Sequence, residues 1–184
     1  MVSMILTGEE IKNQVALRRI HISPFIESNI NPNSYNYCLA PELLEIIDNP
    51  IDPKSEQQFR KIEISEEGYV LQPGHLYLGS TMEEIGSDYY VTSLIGRSSV
   101  GRLGIFVQIT ADLGHLGAKH RWTLELKVVQ PVICYPGMKI GQVSFWCVEG
   151  ETKQLYRGKY AKYSNAHRSE IHRELSLTTN EITQ

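Results

Sequence analysis

Residues 96–125 read GRSSVGRLGIFVQITADLGHLGAKHRWTLE, and this stretch governs how the rest of the chain is interpreted. It begins with Gly96-Arg97-Ser98-Ser99, a short polar loop in which glycine permits a tight turn and a guanidinium lies beside two hydroxyls. Arginine donates a forked pair of hydrogen bonds that matches phosphate oxygens, and backbone N–H groups in such loops can converge on one anion. The loop is therefore either an anion-binding loop or simply a turn.

The same stretch leads into an apolar strand that a carboxylate interrupts. In Thr123-Leu124-Glu125-Leu126, side chains alternate between the two faces of the strand, so Thr123 and Glu125 share one face and the leucines share the other. Glu125 is either a solvent-facing residue of a half-buried strand or a carboxylate placed in a site.

Short apolar segments separated by glycine or proline turns surround this stretch, and they predict a mainly β protein. We expect a distorted β-barrel or double-sheet roll. Thr7, followed by Glu9 and Glu10, predicts the N-cap of a short N-terminal helix over residues 8–17. The predicted strands are residues 43–47, 69–71, 76–80, 89–95, 104–109, 121–129, 132–135 and 140–148.

The remaining segments define the predicted domain organisation. Residues 48–63 are polar and contain two prolines, which indicates a surface excursion outside the sheet. Residues 1–169 are expected to form a single domain. Residues 170–184 are expected to form a C-terminal tail with little to hold it, although His172 to Leu175 is compatible with a helical turn.

Composition narrows the function. The 184 residues carry a net charge of −3, which argues against a nucleic-acid partner. No signal-peptide pattern or apolar run of membrane-spanning length occurs, so we expect a cytoplasmic protein without a membrane partner. Cys38, Cys134 and Cys147 are widely spaced, which indicates buried reduced thiols and no metal site.

The order of the motifs resembles the dCTP deaminases of the dUTPase superfamily. The resemblance extends over nearly the whole chain, to about residue 169, and implies the dUTPase-like fold. It also implies a homotrimer in which the C-terminal segment closes over sites shared between subunits. The matching motifs are MILTG at 4–8, NPNSY at 31–35, LQPG at 71–74, LGST at 78–81, GRSSVGRLG at 96–104, TA at 110–111, TLEL at 123–126, PGMKIGQ at 136–142 and YRGKY at 156–160.

The resemblance implies a hydrolytic deamination. Such a reaction adds water to C4 of cytosine, and one carboxylate can activate the water and move protons to N3 and the leaving ammonia. Many deaminases use zinc under an H-x-E…P-C-x-x-C signature, but this chain contains no C-x-x-C, so no zinc is expected. Glu125 is implied to be the general acid/base, with Ser98 and Arg102 orienting the water and stabilising charge.

The resemblance also assigns substrate-binding residues. Arg97 and Ser99 are implied to hold the triphosphate of the substrate, with Mg²⁺ bridging its oxygens. Thr110 and Ala111 are implied to face the pyrimidine. In the tail, Tyr156 and Lys159 match residues that contact phosphates, and Tyr163 stands where relatives carry Gln near the base; the alternative is an exposed polar tail.

Several positions depart from the family pattern. His115 replaces Asp, Ala118 replaces an aromatic residue, His120 replaces Gly, and Asn36 replaces another Asp. We interpret His115 and His120 as surface residues and not metal ligands, and His75 as an ordinary turn residue. Together with Tyr163, these departures leave a modified cytosine nucleotide, a ribonucleotide or relaxed selectivity open.

The leading hypothesis is conversion of dCTP, or a close analogue, to dUTP and ammonia. The first alternative is a bifunctional deaminase and diphosphatase that yields dUMP, which Gly101 favours and His115 opposes. The second alternative is a regulatory trimer that binds dCTP or dTTP without catalysis.

Overall fold

The structure is a computed structural model that describes residues 4–107, 110–160 and 163–181. Helix α1, Gly8–Ala16, lies where the sequence predicts it. The Thr7 side chain caps the helix by accepting a hydrogen bond from the Glu10 N–H at 3.3 Å, and Glu9 and Glu10 occupy the first turn. The predicted N-cap is therefore confirmed.

Short antiparallel strands make up most of the rest, which confirms the mainly β fold class. The strands are β1 Ile20–Ser23, β2 Ile30–Asn31, β3 Ser34–Cys38, β4 Glu42–Ile46, β5 Phe59–Glu63, β6 Tyr69–Leu71, β7 Leu76–Ser80, β8 Glu84–Ser87, β9 Tyr90–Gly96, β10 Ile105–Val107, β11 Lys119–His120, β12 Thr123–Val128, β13 Val132–Cys134 and β14 Lys139–Cys147. Two further helices are α2 Ser98–Gly101 and α3 Ile171–Glu181, and a 3-10 turn spans Glu27–Asn29.

The strands form several sheets around one core. The five-stranded sheet has the order β10-β12-β7-β4-β5, and the four-stranded sheet has the order β2-β3-β14-β9. A three-stranded sheet, β1-β8-β11, and the pair β13-β6 complete the roll. The inward sides of these sheets meet in one apolar cluster, which includes Leu124 and Leu126 of β12. The outer face of the five-stranded sheet is therefore not part of this core.

The prediction that residues 48–63 lie outside the sheet is wrong for residues 59–63, which form strand β5. Strand β5 pairs with β4 along its length, from Ile46 opposite Phe59 to Glu42 opposite Glu63. Only Ile62 of β5 is buried, because β5 is an edge strand with one covered face. A single buried residue leaves no alternation strong enough to predict the strand.

Strand β3 was also outside the predicted strands, because its residues follow the turn signal Asn31-Pro32-Asn33. Tyr35 and Tyr37 of β3 are fully buried. The Tyr37 hydroxyl donates to the Ile95 carbonyl at 3.1 Å, which satisfies a polar group that would otherwise oppose burial. Strands β1 and β8 were missed as well. Of the predicted strand at residues 104–109, β10 covers part, and residues 108 and 109 lie outside the described residues.

The cysteines are free thiols, as expected. Cys38 and Cys134 are buried and Cys147 is half-buried. Burial raises the pKa of Cys38 and of Cys134 to about 11, so neither forms the reactive thiolate at neutral pH. In the part of the chain that the structure describes, no helix has the length and apolar character needed to cross a membrane.

Candidate active site

A cavity of about 700 Å³ lies on the outer face of the five-stranded sheet. Because Leu124 and Leu126 of β12 are directed into the core, Thr123, Glu125 and Lys127 line the cavity. Leu76 and Leu78 of the neighbouring strand β7 line it too. The alternation predicted for residues 123–128 is therefore what directs Glu125 into a cavity.

The C-terminal segment forms the opposite wall of this cavity. Ala166 is buried against Leu44, Ile46 and Leu78, the outward apolar residues of β4 and β7. The His167 N–H donates to Thr123 Oγ1 at 3.1 Å, which joins the segment to β12. The wall consists of Tyr156, Tyr160, Tyr163, Asn165, His167, Arg168 and Ser169.

The loop before β5 also holds this segment. Arg168 forms an ion pair with Glu56, and its Nη1 donates to the Gln57 carbonyl at 3.3 Å. The Ser169 N–H donates to Gln57 Oε1 at 2.9 Å. The segment is thus fixed to the sheet on one side and to the loop on the other.

Glu125 is half-buried and hydrogen-bonded within the cavity. Thr110 Oγ1 donates to Glu125 Oε2 at 3.3 Å, and Ala111 lines the same cavity. Tyr156 and Tyr163 line it from the tail. Four of the residues assigned from sequence are therefore brought together around the carboxylate of Glu125.

Tyr163 is held by a buried carboxylate behind the cavity wall. Its hydroxyl donates to Glu170 Oε1 at 3.2 Å, and His167 Nε2 lies 2.7 Å from the same oxygen. The rings of Tyr163 and His167 stack, with centroids 3.5 Å apart and planes 14° apart. Arg173 pairs with the other oxygen of Glu170. The His167 hydrogen bond and the Arg173 charge hold the pKa of Glu170 below its usual range.

The polar loop that begins at residue 96 lies elsewhere on the chain. Ser98 and Ser99 are exposed in α2, and Arg102 is exposed just after that helix. Arg97 is half-buried, and its Nη1 donates to the Lys139 carbonyl at 3.1 Å. None of these four residues lines the Glu125 cavity of the same chain.

The position of α2 follows from the strand that comes after it. Strand β10 pairs with β12, with Ile105 opposite Val128 and Val107 opposite Leu126. The Val129 N–H donates to the Gly104 carbonyl at 3.1 Å. Helix α2 therefore lies near the Val128 end of β12, beyond Glu125 along the strand.

Lys159 lies apart from the residues that line the Glu125 cavity and from the polar loop that begins at residue 96. It does not line the cavity, and it forms an ion pair with Glu174 of α3 that raises the pKa of Lys159. Its ammonium also lies 5.1 Å from the centroid of the Tyr160 ring.

The positions that depart from the family pattern have distinct surroundings. His115 is exposed and stacks on Tyr156, with centroids 5.4 Å apart. Ala118 and His120 line the cavity, so the interpretation of His120 as a surface residue is wrong. The His120 ring packs on Trp122, with centroids 4.4 Å apart.

Asn36 and His75 have structural partners. Asn36 is buried and donates to the Asn29 carbonyl at 3.2 Å and to Asn31 Oδ1 at 3.1 Å. His75 Nδ1 lies 2.5 Å from Oε1 of buried Glu45. His75 thus pairs with a buried carboxylate, a role that its turn position did not indicate.

The sequence did not single out Arg121, Trp122, His167 or Glu170. Arg121 could have been found, because it stands four residues before Glu125 and so shares its face if the extended backbone continues. The tail residues carried no comparable signal. Among the described residues, no group of three or more His, Cys, Asp or Glu side chains could hold a metal ion.

Comparisons with known proteins identify the family of this chain. The chain belongs to the dCTP deaminase-like family, whose sequence model matches residues 5–148. The dCTP deaminase, dUMP-forming, of Hathewaya histolytica is 48% identical over 157 residues, which are 85% of this chain and 91% of the relative. The dCTP deaminase of Rhodopirellula baltica is 42% identical over 172 residues, which are 94% of this chain and 86% of the relative.

A solved structure supports the fold independently. The crystal structure of 2'-deoxycytidine 5'-triphosphate deaminase from Agrobacterium tumefaciens superposes with a TM-score of 0.65 at 20% identity. The match covers 80% of this chain and 49% of that chain. The family and the fold inferred from sequence are both confirmed.

Proposed function

We propose that this protein hydrolyses the exocyclic amine of dCTP, with Glu125 as the general acid/base. The observation that carries the proposal is the half-buried Glu125, which accepts a hydrogen bond from Thr110 inside a cavity of about 700 Å³. That volume lies in the range of small-molecule sites, and tyrosine side chains supply apolar walls with polar tips. A planar base fits such a cavity beside the carboxylate.

The chemistry follows from a single carboxylate. Glu125 takes a proton from a water molecule, and the resulting hydroxide forms a bond to C4 of the cytosine while N3 receives the proton. A second proton, carried by the same carboxylate from the new hydroxyl to the amine, lets the C4–N bond break. The products are a uracil ring and ammonia, so atoms and charges balance without a zinc-bound water.

Ser98 and Arg102 are proposed to reach this site from a second subunit. Both are exposed and lie outside the cavity of their own chain. Large apolar side chains flank them at residues that are 43–64% exposed, which is typical of a surface that another protein chain covers. A homotrimer with shared sites accounts for both observations. The flanking residues are Ile95, Leu103, Phe106 and Val129.

The triphosphate is proposed to lie against Arg97 and Ser99, and Mg²⁺ bound through the phosphates would neutralise part of their charge. The described residues offer no cluster of protein ligands for a metal, which fits an ion held mainly by phosphate oxygens and water. Lys159 is a further proposed phosphate ligand. For that role, the Lys159 ammonium would have to leave Glu174 and pair with a phosphate of the substrate.

The proposed final product is dUMP. The leading hypothesis from sequence was dUTP, but relatives 48% and 45% identical to this chain are named dUMP-forming. The bifunctional reaction is therefore favoured, although His115 occupies the position at which the family pattern has Asp. The cytoplasmic location also stays a prediction.

Product analysis tests the proposal. We expect purified protein with dCTP and Mg²⁺ to release ammonia, dUMP and pyrophosphate, separated by anion-exchange chromatography. Accumulation of dUTP without pyrophosphate would support deamination alone. Absence of ammonia from dCTP, CTP and 5-methyl-dCTP would refute a deaminase, and nucleotide binding under those conditions would favour the regulatory trimer.

A further inference from the structure

Arg121 is a cavity residue with an unpaired buried donor. It lies between β11 and β12, is half-buried, and lines the same cavity as Glu125. Its Nε is inaccessible to solvent and has no hydrogen-bond acceptor among the described residues. Buried N–H groups in folded proteins nearly always have a partner, so the unpaired Nε shows that the protein itself supplies no acceptor to this part of the guanidinium. A ligand in the cavity would contact the accessible part of the side chain.

The other cations of the cavity are differently placed. The Nε of Arg168 is also buried without an acceptor, but the guanidinium of Arg168 is paired with Glu56 through Nη2. Lys127 lies at an exposed position on β12. In the described part of the chain, Arg121 forms no ion pair within 4.0 Å. Arg121 therefore supplies a positive charge to the cavity that the protein itself does not neutralise by contact.

The backbone around Arg121 is firmly held. His120 Nδ1 lies 2.8 Å from the Arg121 carbonyl oxygen. Because a carbonyl only accepts, that nitrogen carries the proton and donates. The Trp122 N–H donates to Thr81 Oγ1 at 2.9 Å, and its indole Nε1 donates to the Ile85 carbonyl at 2.9 Å. The residues on both sides of Arg121 are thus fixed, which limits the positions its side chain can reach.

The spacing along the chain places Arg121 away from the reacting atom. Arg121, Thr123 and Glu125 are successive alternate residues, so the Cα atoms of Arg121 and Glu125 are separated by up to about 13 Å in extended backbone. A pyrimidine ring is much shorter than this span. If the nucleotide lies along β12 from Glu125 toward residue 121, the guanidinium of Arg121 would meet its sugar–phosphate part.

Glu83 offers the one alternative role for this charge. Burial raises the pKa of Glu83, and the charge of Arg121 opposes part of that increase. However, no ion pair joins the two side chains, and the Glu83 carboxylate accepts instead from the Cys38 N–H at 3.0 Å. The electrostatic effect of Arg121 on Glu83 leaves the buried Nε–H without an acceptor.

We propose that Arg121 is a substrate-binding residue that donates to an oxygen of the sugar–phosphate part of the nucleotide. The inference rests on the proposed function, because it takes the Glu125 cavity as the nucleotide site. Arginine suits this contact, since its guanidinium stays charged and presents several donors in a fixed plane. Arg121 thereby contributes to the affinity for the nucleotide and to the choice between sugars.

The test compares Arg121→Gln and Arg121→Lys with the wild type. We expect Arg121→Gln to raise KM for dCTP roughly 10- to 100-fold, the cost of a lost charge-assisted hydrogen bond, with a smaller change in kcat. Arg121→Lys should recover part of the loss. Arg19→Gln is the matched control, because Arg19 is exposed beside Tyr89 and does not line the cavity.

Two substrate analogues identify the oxygen. If the effect of Arg121→Gln disappears with 2',3'-dideoxycytidine triphosphate, the partner is the 3'-hydroxyl. If the effect persists with that analogue but disappears with deoxycytidine, the partner is a phosphate oxygen. Either outcome supports the proposal.

Binding separates this inference from the proposed reaction. Calorimetry of dCTP with Glu125→Gln and with the Glu125→Gln/Arg121→Gln double variant needs no turnover. A weaker Kd in the double variant supports the Arg121 contact even if the wild type deaminates nothing. Equal Kd values, together with an unchanged KM, overturn it. It is also overturned if Arg121→Gln lowers Tm without changing KM or Kd, and if the same substitution has no effect on Tm in a Glu83→Gln background.

Discussion

Glu125 and Glu83 show how surroundings separate two carboxylates in this protein, because Glu125 lies on β12 and Glu83 lies in the bend between β7 and β8. Glu125 lies on the outer side of β12, half-buried and within reach of the Thr110 hydroxyl. Glu83 lies in the interior with 1% of its surface exposed and accepts the Cys38 N–H. The first is open to a ligand and the second is not, so they lead to different predictions.

Replacement of Glu125 by Gln should remove turnover and retain binding. The amide keeps the shape of the carboxylate but cannot take a proton, so we expect kcat for ammonia release to fall by about 10²- to 10⁴-fold. Initial rates measure the loss, and calorimetry with dCTP checks that binding remains. A variant with wild-type kcat would disprove the role of Glu125.

Replacement of Glu83 by Gln should stabilise the fold at neutral pH. Burial raises the pKa of Glu83 in the folded protein, so wild-type folding loses stability as pH rises through that pKa. The amide carries no charge to desolvate and still accepts the Cys38 N–H. The variant should have a higher Tm than the wild type, by about 2–4 °C for each 1 kcal/mol gained in the free energy of unfolding at this chain length.

Comparison of two pH values checks the sign of this effect. The Tm difference between Glu83→Gln and wild type should be small below about pH 4.3, where a free Glu side chain is half protonated, and larger at pH 7.5. Differential scanning calorimetry at both values gives the answer. A variant that is less stable at pH 7.5 than the wild type would show that the Glu83 charge is needed.

The C-terminal segment is the element that turns an exposed sheet face into a cavity. Its central residue is Glu170, which is 2% exposed. The Glu170 carboxylate contacts His167, Tyr163 and Arg173. The Glu170 backbone N–H donates to the Tyr160 hydroxyl at 3.1 Å. The pairing of Lys159 with Glu174 lies on the surface by comparison. Buried contacts of this kind contribute more than exposed ion pairs.

Replacement of Glu170 by Gln should loosen this wall. The amide accepts more weakly from His167 and Tyr163 and lacks the charge that pairs with Arg173, so the segment should leave β12 more often. We expect acrylamide quenching of Trp122 to increase, measured in a Trp146→Phe background so that Trp122 is the fluorophore. Glu174→Gln is the matched control and should leave quenching unchanged.

The pH dependence of the same wall has a definite direction. The pKa of Glu170 is lowered in the folded protein. The carboxylate therefore stabilises the contact of the C-terminal segment with β12 fully above the ordinary pKa of about 4.3. This stabilisation should be lost as pH falls through the lowered value. Wild-type quenching should therefore rise at acid pH toward that of Glu170→Gln, and a profile that is flat in acid would contradict the assignment.

At the scale of the whole molecule, the predicted site residues occupy two separate places. Glu125, Thr110, Ala111, Tyr156 and Tyr163 surround the cavity, whereas the four residues of the polar loop lie outside it. The proposed site assembled from two copies of the chain would join the two groups. In that arrangement each subunit would contribute to two different sites in a ring.

Mixed assemblies test this arrangement. Glu125→Gln and Arg102→Gln should each be inactive alone, because each removes one half of every site. Co-expressed with different affinity tags and purified through both, they should regain activity, with about a third of the sites intact, because each mixed trimer then contains one complete site of three. Complete inactivity of the mixed assembly would show that both residues act within one chain.

Much of the fold could be predicted because its signals are local. The Thr7 cap of α1, the turns that bound β6 and β7, and the alternation in β12 each depend on residues only a few positions apart. Strand β5 could not be predicted, since pairing with β4 and not its own pattern makes it a strand.

The sequence by itself determined the mainly β class, the family and the side of β12 on which Glu125 lies, because periodicity and ordered motifs are properties of the chain. Only the tertiary structure decided which contacts fix the C-terminal segment over the cavity, that Arg121 lines the cavity, and that the polar loop lies outside it. The contacts responsible join residues far apart in sequence, such as His167 with Thr123 and Ser169 with Gln57. Such contacts form through complementary surfaces that meet on folding, and no local pattern encodes them.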